Sequence, residues 1–416
     1  MRRMTYPEVE EYLFSKRRMG MKYGLERIRE LMEELGSPQE SFRTVHVVGT
    51  NGKGSTAMLM TAVATRLGMR TGLLTSPHLL SFRERISVDD RWIAEEAVCE
   101  FVRDNMDAIE RLSATFFEIC TAMAASYFRD RGVEWAVAEA GLGGRLDATR
   151  TFEGEATVFT GVGLEHARIL GPTRAAIASE KVAVAADRTT LIGFEQTEDV
   201  EKVVSATVEN RGLRRVFPLP APASAGPGSH QKLNADLAYT ACRELFEVPE
   251  DNLERAFRDA CRETHLPGRL DMMKGDPPIL FDVAHNPEAM VHLVEHVEEW
   301  DVPLPAVLGF LADKRCGEML DILGDTLGPI VATTPVSDRA MTADDLSRLV
   351  RDQMGVRCLA KSSIPEAVSM GRDLASKLRK PLVVTGSFFM TGEAMKHCWR
   401  MGWVSEPTHP DIAGLV

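Results

Sequence analysis

A chain of 416 residues is longer than one hydrophobic core usually serves, so two domains are expected, and 44% apolar with 26% charged residues is the composition of an ordinary soluble globular protein. A formal charge of -12 excludes a general nucleic-acid surface while leaving room for local basic pockets. No stretch approaches the roughly 18 apolar residues of a membrane span, so neither a nucleic acid nor a membrane is expected as a partner. The opening MRRMTYPEVEEYLFSKRR lacks the apolar core of a secretory signal, which points to the cytoplasm. Cys99, Cys120, Cys242, Cys261, Cys316, Cys358 and Cys398 are widely separated and form no C-x-x-C pair; they read as reduced and mostly buried.

In chain order, GLERIRELMEELG repeats Leu25, Ile28, Leu31, Met32 and Leu35 with the 3.6-residue period of an amphipathic helix closed by Gly36. From Arg43 the text runs RTVHVV, a glycine loop, STAMLMTAVATRLG and RTGLLT. This is a βαβ unit whose two strands should be parallel. VEWAVAE and EATVFTGVG read as further buried strands of the same sheet, and PLPAPASAGPGS as an exposed connection. HQKLNADLAYTACRELF is helical, after which PPILFDVAHNP, PAVLGF, PIVATT, VRCLA and PLVVTG alternate with helix-length segments. Thr342 with Asp345, and Ser363 with Glu366, have the spacing of helix starts. The division expected is a first domain over 1–265 and a second α/β domain over 266–416.

The glycine loop carries the first chemistry. A strand that ends in glycines and feeds a helix aims main-chain N–H groups and the positive helix end at one place, which suits a phosphate. The stretch Gly49, Thr50, Asn51, Gly52, Lys53, Gly54, Ser55 and Thr56 spells G-T-N-G-K-G-S-T, one residue shorter before the G-K pair than the common Walker A form. Lys53 supplies a point charge for the outer phosphates, and Ser55 or Thr56 can reach a magnesium ion. The bland alternative is a turn that merely closes the unit. Glu139 ends a buried strand just before a second glycine-rich turn, GLGGRLDAT, at the sheet edge where ligands sit; it reads equally as a magnesium ligand or as a solvated carboxylate.

HVVGTNGKGST, TSPHLLSFRERI, TFFEICTAM, AEAGLGGRLDAT, GLEHARILG, IASEK, HQKLNA, PGRLD, FDVAHNP, LADK and TGSFFMTGEA, in this order from about residue 20 to 395, resemble the motifs of the folylpolyglutamate synthase and dihydrofolate synthase family, a branch of the Mur ligases. The resemblance implies an α/β protein with a P-loop N-terminal domain and a Rossmann-like C-terminal domain. It implies an ATP-dependent amide ligase that joins L-glutamate to a dihydropteroate or folate carboxylate through an acyl phosphate. A monomer using ATP and two Mg²⁺ ions is expected.

By motif match, Ser55, Ser76 and Glu139 would form a first magnesium site, with Glu139 and His166 around a second. Lys181 matches a lysine that the family carries in carbamylated form; by itself it would read as a solvent-facing helix lysine. Asp282, His285, Asn234 and Arg269 resemble residues that reach the nucleotide and the incoming glutamate, with Arg269 as a charge carried beside the domain junction. Lys53, His166, Lys181, Arg269, Asp282 and His285 are thus the candidate catalytic residues.

The family pattern is not followed throughout. EKVAVAADR stands where EKAGI is usual, GLEH where GLDH is common, and DVAHN where DGAHN is common. The span from Lys181 to Asn234 is also short for the family. These departures leave open a Mur-type ligase acting on a different pterin or a non-folate acid. A P-loop switch module would lack the second half with its AHNP and DK motifs, and a non-catalytic relative would not need Lys53, Glu139 and His166.

Overall fold

The computed structural model describes residues 4–17, 24–405 and 409–415. They fall into two compact units, Met1–Ala225 with Gln231–Thr264, and Gly226–His230 with His265–Val416. The first unit begins with helices α1 (Tyr6–Arg17) and α2 (Glu26–Glu34), followed by β1 (Arg43–Val48), α3 (Lys53–Arg66), β2 (Thr71–Leu74), β3 (Ile86–Val88), β4 (Arg91–Trp92), α4 (Glu95–Leu112), α5 (Phe116–Asp130) and β5 (Trp135–Glu139). It continues with β6 (Gly154–Phe159), α6 (Ala167–Leu170), α7 (Arg174–Val182), β7 (Thr190–Gly193), α8 (Glu198–Arg211), β8 (Arg214–Val216), α9 (Ser229–Leu245) and α10 (Glu250–Glu263).

The eight strands order as β4-β3-β2-β5-β1-β6-β7-β8. β1 and β2 are parallel as the βαβ pattern requires, but β5 is inserted between them and pairs with both. Only the two pairings of β3, with β2 and with β4, are antiparallel, at one edge. Alternation along β1 sends Val45 and Val47 into the core under α3, α9 and α10. Val48 packs on the opposite face with residues of α7 and α8. Helices therefore cover both faces, the arrangement that lets parallel strands be apolar on both sides.

Gly72 in β2 shows how tightly this core closes. A Cβ there would lie 2.8 Å from the ring of Phe128, which is fully buried in α5. Gly72→Ala is expected to destabilise the fold by about 1–3 kcal/mol in a chemical denaturation curve. A variant as stable as the parent would mean that Phe128 can shift freely.

The second unit contains β9 (Asp271–Met273), β10 (Ile279–Phe281), α11 (Pro287–Val297), β11 (Leu304–Leu308), α12 (Cys316–Leu323), β12 (Leu327–Thr333), α13 (Ala343–Met354), β13 (Cys358–Lys361), α14 (Ile364–Leu378), β14 (Leu382–Thr385), α15 (Phe388–Arg400) and the short α16 (Pro410–Ala413). Its sheet order is β13-β12-β11-β14-β10-β9, parallel except for the edge strand β9. Thr342 caps α13 by accepting from Asp345 N, as its spacing predicts. Ser363 stands at the cap of α14 but its hydroxyl makes no capping bond. The Pro/Ala-rich connection after β8 is half-buried to exposed and is pinned to α9: Leu219 N donates to Thr240 Oγ1 (2.8 Å) and Ala221 N to Asp236 Oδ1 (2.7 Å). All seven cysteines are free, and only Cys99 is not buried. No helix among the described residues is long and apolar enough to cross a membrane.

Candidate active site

β1 delivers the chain to the glycine loop at the C-terminal edge of the first sheet. Gly52 adopts φ +85° and immediately precedes α3, so the loop's N–H groups meet the helix start with no side-chain cap between them. Substitution is blocked by the protein itself. A Cβ on Gly49 would lie 1.9 Å from Thr160 Oγ1, and one on Gly52 would lie 2.3 Å from Asn234 Oδ1. The loop is held from outside: Thr50 N donates to Gly161 O (2.9 Å), Gly163 N to Thr50 Oγ1 (2.9 Å) and Thr160 Oγ1 to Asn51 O (2.6 Å). Asn234 is buried on α9 and donates to Gln231 Oε1 (3.1 Å), which places its carbonyl oxygen against the loop.

Lys53 opens α3, with Nζ 3.0 Å from Thr50 O and 3.9 Å from Glu139 Oε1. The register of β1 on β5, Val47 opposite Glu139, is what brings the two together. Glu139 is only 3% exposed, so its reading as a solvated carboxylate is corrected by the structure. One oxygen accepts from the Thr75 hydroxyl and from Ser76 N (3.1 Å). Thus the segment carrying Ser76 is tied to the strand end carrying Glu139. Ser55 and Thr56 are both buried on the first turn of α3, and Thr56 Oγ1 has no hydrogen-bond partner.

Lys181 is 6% exposed and donates to Gly49 O at 2.5 Å, so the solvent-facing helix lysine is also corrected. Burial, reinforced by the nearby charge of Lys53 and partly offset by Glu165, Asp147 and Glu139, lowers its pKa to about 7. An unfolded lysine keeps its proton up to about pH 10.5, so in the free-amine state this residue makes stability rise with pH between about 7 and 10.5. His166 is in the left-handed region (φ 53°) just before α6; its side chain is 37% exposed and Nε2 lies 3.9 Å from Glu165 Oε1. No group of three or more His, Cys, Asp or Glu side chains among the described residues is arranged to hold a metal by itself.

The second unit gathers Arg269, Asp282 and His285 at the C-terminal end of β10. Asp282 is buried, and its two carboxylate oxygens accept from Leu270 N (2.9 Å) and Ala284 N (2.8 Å). Burial raises its pKa against the pull of those N–H groups, Arg269 and His285. Its visible work is to hold the turn that presents Arg269, whose guanidinium lies 4.7 Å from the Phe388 ring centroid. His285 is 5.5 Å from the same ring and bonds Val283 O through Nδ1 (2.8 Å).

The family description "Dihydrofolate synthetase, C-terminal domain" matches residues 269–397. A probable bifunctional folylpolyglutamate synthase/dihydropteroate synthase of Haloferax volcanii is 33% identical over 94% of this chain and 50% of its own length. The chain thus spans about half the length of that relative and 53% of a similarly named one from Halobacterium salinarum. The dihydrofolate synthase/folylpolyglutamate synthase of Mycobacterium tuberculosis is 30% identical over 89% of each chain. The chain belongs to the folylpolyglutamate synthase and dihydrofolate synthase family. Its fold agrees: a Mycobacterium tuberculosis folylpolyglutamate synthase complexed with ADP and AMPPCP superposes with a TM-score of 0.86 at 28% identity, covering 97% of this chain and 99% of that one. An Escherichia coli FolC complex with DHPP and ADP gives 0.84 at 25% identity, over 96% and 100%.

Within this family two of the chain's departures have a local structural account. Val283, where glycine is common, is buried; its N–H is spent on Gly268 O (3.0 Å) and its carbonyl on His285. Glu165, where aspartate is common, keeps a carboxylate beside His166. Sequence reading passed over Thr75, Thr160 and Asp147. Thr75 opened the quoted TSPHLLSFRERI motif and Thr160 stood inside the quoted EATVFTGVG strand, but neither carries a signal of its own. Asp147 stood inside the quoted GLGGRLDAT turn, and the structure shows it organising that turn by accepting from Leu142 N (2.8 Å) and Thr149 N (3.0 Å).

Proposed function

We propose that this chain is an ATP-dependent ligase that joins L-glutamate to a folate or pteroate carboxylate through an acyl phosphate. The observation that carries the reading is the pairing of the glycine loop and Lys53 with buried Glu139 at the ends of adjacent strands. A carboxylate is a poor electrophile until its oxygen is phosphorylated, and the transfer brings two anions together. Positioning and cationic charge are therefore what a protein must supply. Lys53 and the N–H groups of Gly52 to Ser55 bind and orient the terminal phosphates. Arg269, Asp282 and His285 belong to glutamate and nucleotide handling in the second unit. The relatives named above, and the nucleotides and DHPP in their complexes, support the assignment of ATP and a pterin acid.

The residues present fit magnesium. Glu139 and the Ser55 and Ser76 hydroxyls are hard oxygen donors, and a site with few carboxylates that shares its ion with phosphates and water is the usual Mg²⁺ arrangement. When bound, the ion neutralises phosphate charge. His166 is the assigned residue for a second ion. Lys181 suits carbamylation because its amine is half-neutral near pH 7. Attack of that amine on CO₂ with loss of a proton gives a buried anion.

In ¹³C-bicarbonate, a carbamate carbonyl signal is expected by NMR. It should rise as pH passes about 7 and be missing from Lys181→Met. A spectrum without it would leave Lys181 as a plain amine on the Gly49 carbonyl. The function itself is tested by phosphate release with glutamate held constant and the acceptor varied among dihydropteroate, tetrahydrofolate and none. Release that depends on a pterin acid is expected. ATP turnover indifferent to both acceptors would overturn the reading in favour of a Mur-type ligase for another acid.

A further inference from the structure

His46 is a polar residue in the middle of β1, 1% exposed, three positions before the glycine loop. Its neighbours Val45 and Val47 face the α3 core, so the imidazole faces the other side of the sheet. Nε2 lies 2.9 Å from Thr149 O, and because a carbonyl only accepts, Nε2 carries the proton. Nδ1 then has a lone pair with no partner, pressed against Gly154, where a Cβ would come within 2.3 Å of it. Burying an unmatched nitrogen is costly, and the Nε2 bond is what offsets it.

That bond reaches the second glycine turn. Thr149 N and Oγ1 both donate to Asp147 Oδ1 (3.0 and 2.6 Å), and Asp147 Oδ2 accepts from Leu142 N (2.8 Å). The same turn starts directly after Glu139 and rests on α7: Arg145 N donates to Glu180 O (2.8 Å), and a Cβ on Gly144 would be 2.3 Å from Lys181 O. It therefore lies beside the end of β5 that carries Glu139 and against the helix that carries Lys181. The phosphate loop has its own braces through Thr50, Thr160 and Lys181.

We propose that His46 is a positioning residue: its Nε2–H holds the turn from Gly141 to Thr149 against the strand that leads into the phosphate loop, so that the acid acceptor and not ATP feels its loss. Desolvation lowers the pKa of His46 to about 4, with a further push from Arg150, so the ring stays neutral with its single proton on Nε2.

This inference rests on the ligase reading for its kinetic consequence but not for its structural one, and the test separates the two. In the full chain, His46→Gln keeps an N–H near the Nε2 position, His46→Asn moves it to the Nδ1 position, and His46→Leu removes it. For His46→Leu the acceptor KM is expected to rise about tenfold with the ATP KM within about twofold, for His46→Gln to recover most of that loss, and for His46→Asn to recover little. Amide hydrogen exchange over residues 141–149 should speed up in the leucine and asparagine variants and return in the glutamine variant, with residues 49–56 unchanged. Thr149→Val, which removes only the hydroxyl bond to Asp147, should loosen the same turn and gives a second route if His46→Leu does not fold. Equal rises in both KM values, equal rescue by asparagine and glutamine, or unchanged exchange in the turn would each overturn the proposal. If the parent shows no acceptor-dependent phosphate release, the ligase reading fails and the exchange pattern still decides the role of His46.

Discussion

Lys53→Ala is expected to lower kcat/KM for ATP by about 10²–10³-fold while leaving the melting temperature nearly unchanged. Lys53 sits on the first turn of α3 with Nζ between Thr50 O and Glu139 Oε1, the one cation of the loop's own sequence. Its stem is not part of the buried apolar core, so truncation opens no cavity. What is lost is a positive charge beside a buried carboxylate and, during turnover, beside phosphates whose charge it offsets. Arginine is a poor replacement because its planar fork cannot mimic a compact ammonium in the same space. Lys53→Arg should recover only part of the loss. Phosphate release and a thermal melt check both halves of the expectation. Activity within tenfold of the parent would remove Lys53 from the phosphate site.

Glu139→Gln is expected to cut kcat by about 10²–10³-fold and to raise the magnesium concentration needed for half-maximal rate. The amide keeps the size of the side chain and an acceptor oxygen for the Thr75 hydroxyl and Ser76 N, so the cross-tie between the two strand ends survives. The charge does not. A neutral amide is a weaker magnesium ligand than a carboxylate and leaves Lys53 without its 3.9 Å counter-charge. A magnesium titration of the variant discriminates: an unchanged midpoint with a large loss of rate would place Glu139 in charge balance alone and take it out of the metal site.

The strands that were legible in the sequence are those whose signal is local. RTVHVV reads as a strand and is β1 at Arg43–Val48, because a short run rich in β-branched residues and ending in glycine has few other solutions. The same holds for Trp135–Glu139 and for the parallel strands of the second unit. β3, β4, β7, β8 and β9 were not read, being two to four residues long, with little length for a period to register. Thr342 and Ser363 share one spacing rule and only Thr342 makes the bond, since spacing sets the opportunity while rotamer and local packing decide its use.

The site divides along the same line. By itself the sequence determined a glycine loop between strand and helix, a lysine in it, and an acidic strand end followed by a second glycine turn. Each depends on backbone freedom or side-chain chemistry within a few residues. Only the tertiary structure decided that β5 lies beside β1, which puts Glu139 near Lys53, and that Lys181 is buried on Gly49 O, not exposed on a helix. It also decided that Asp282 is spent on main-chain N–H groups and that His46 reaches Thr149, 103 positions away. Burial and long-range hydrogen bonds are set by which strands become neighbours. That choice is made by the collective packing of both faces of the sheet, which no short window of residues contains.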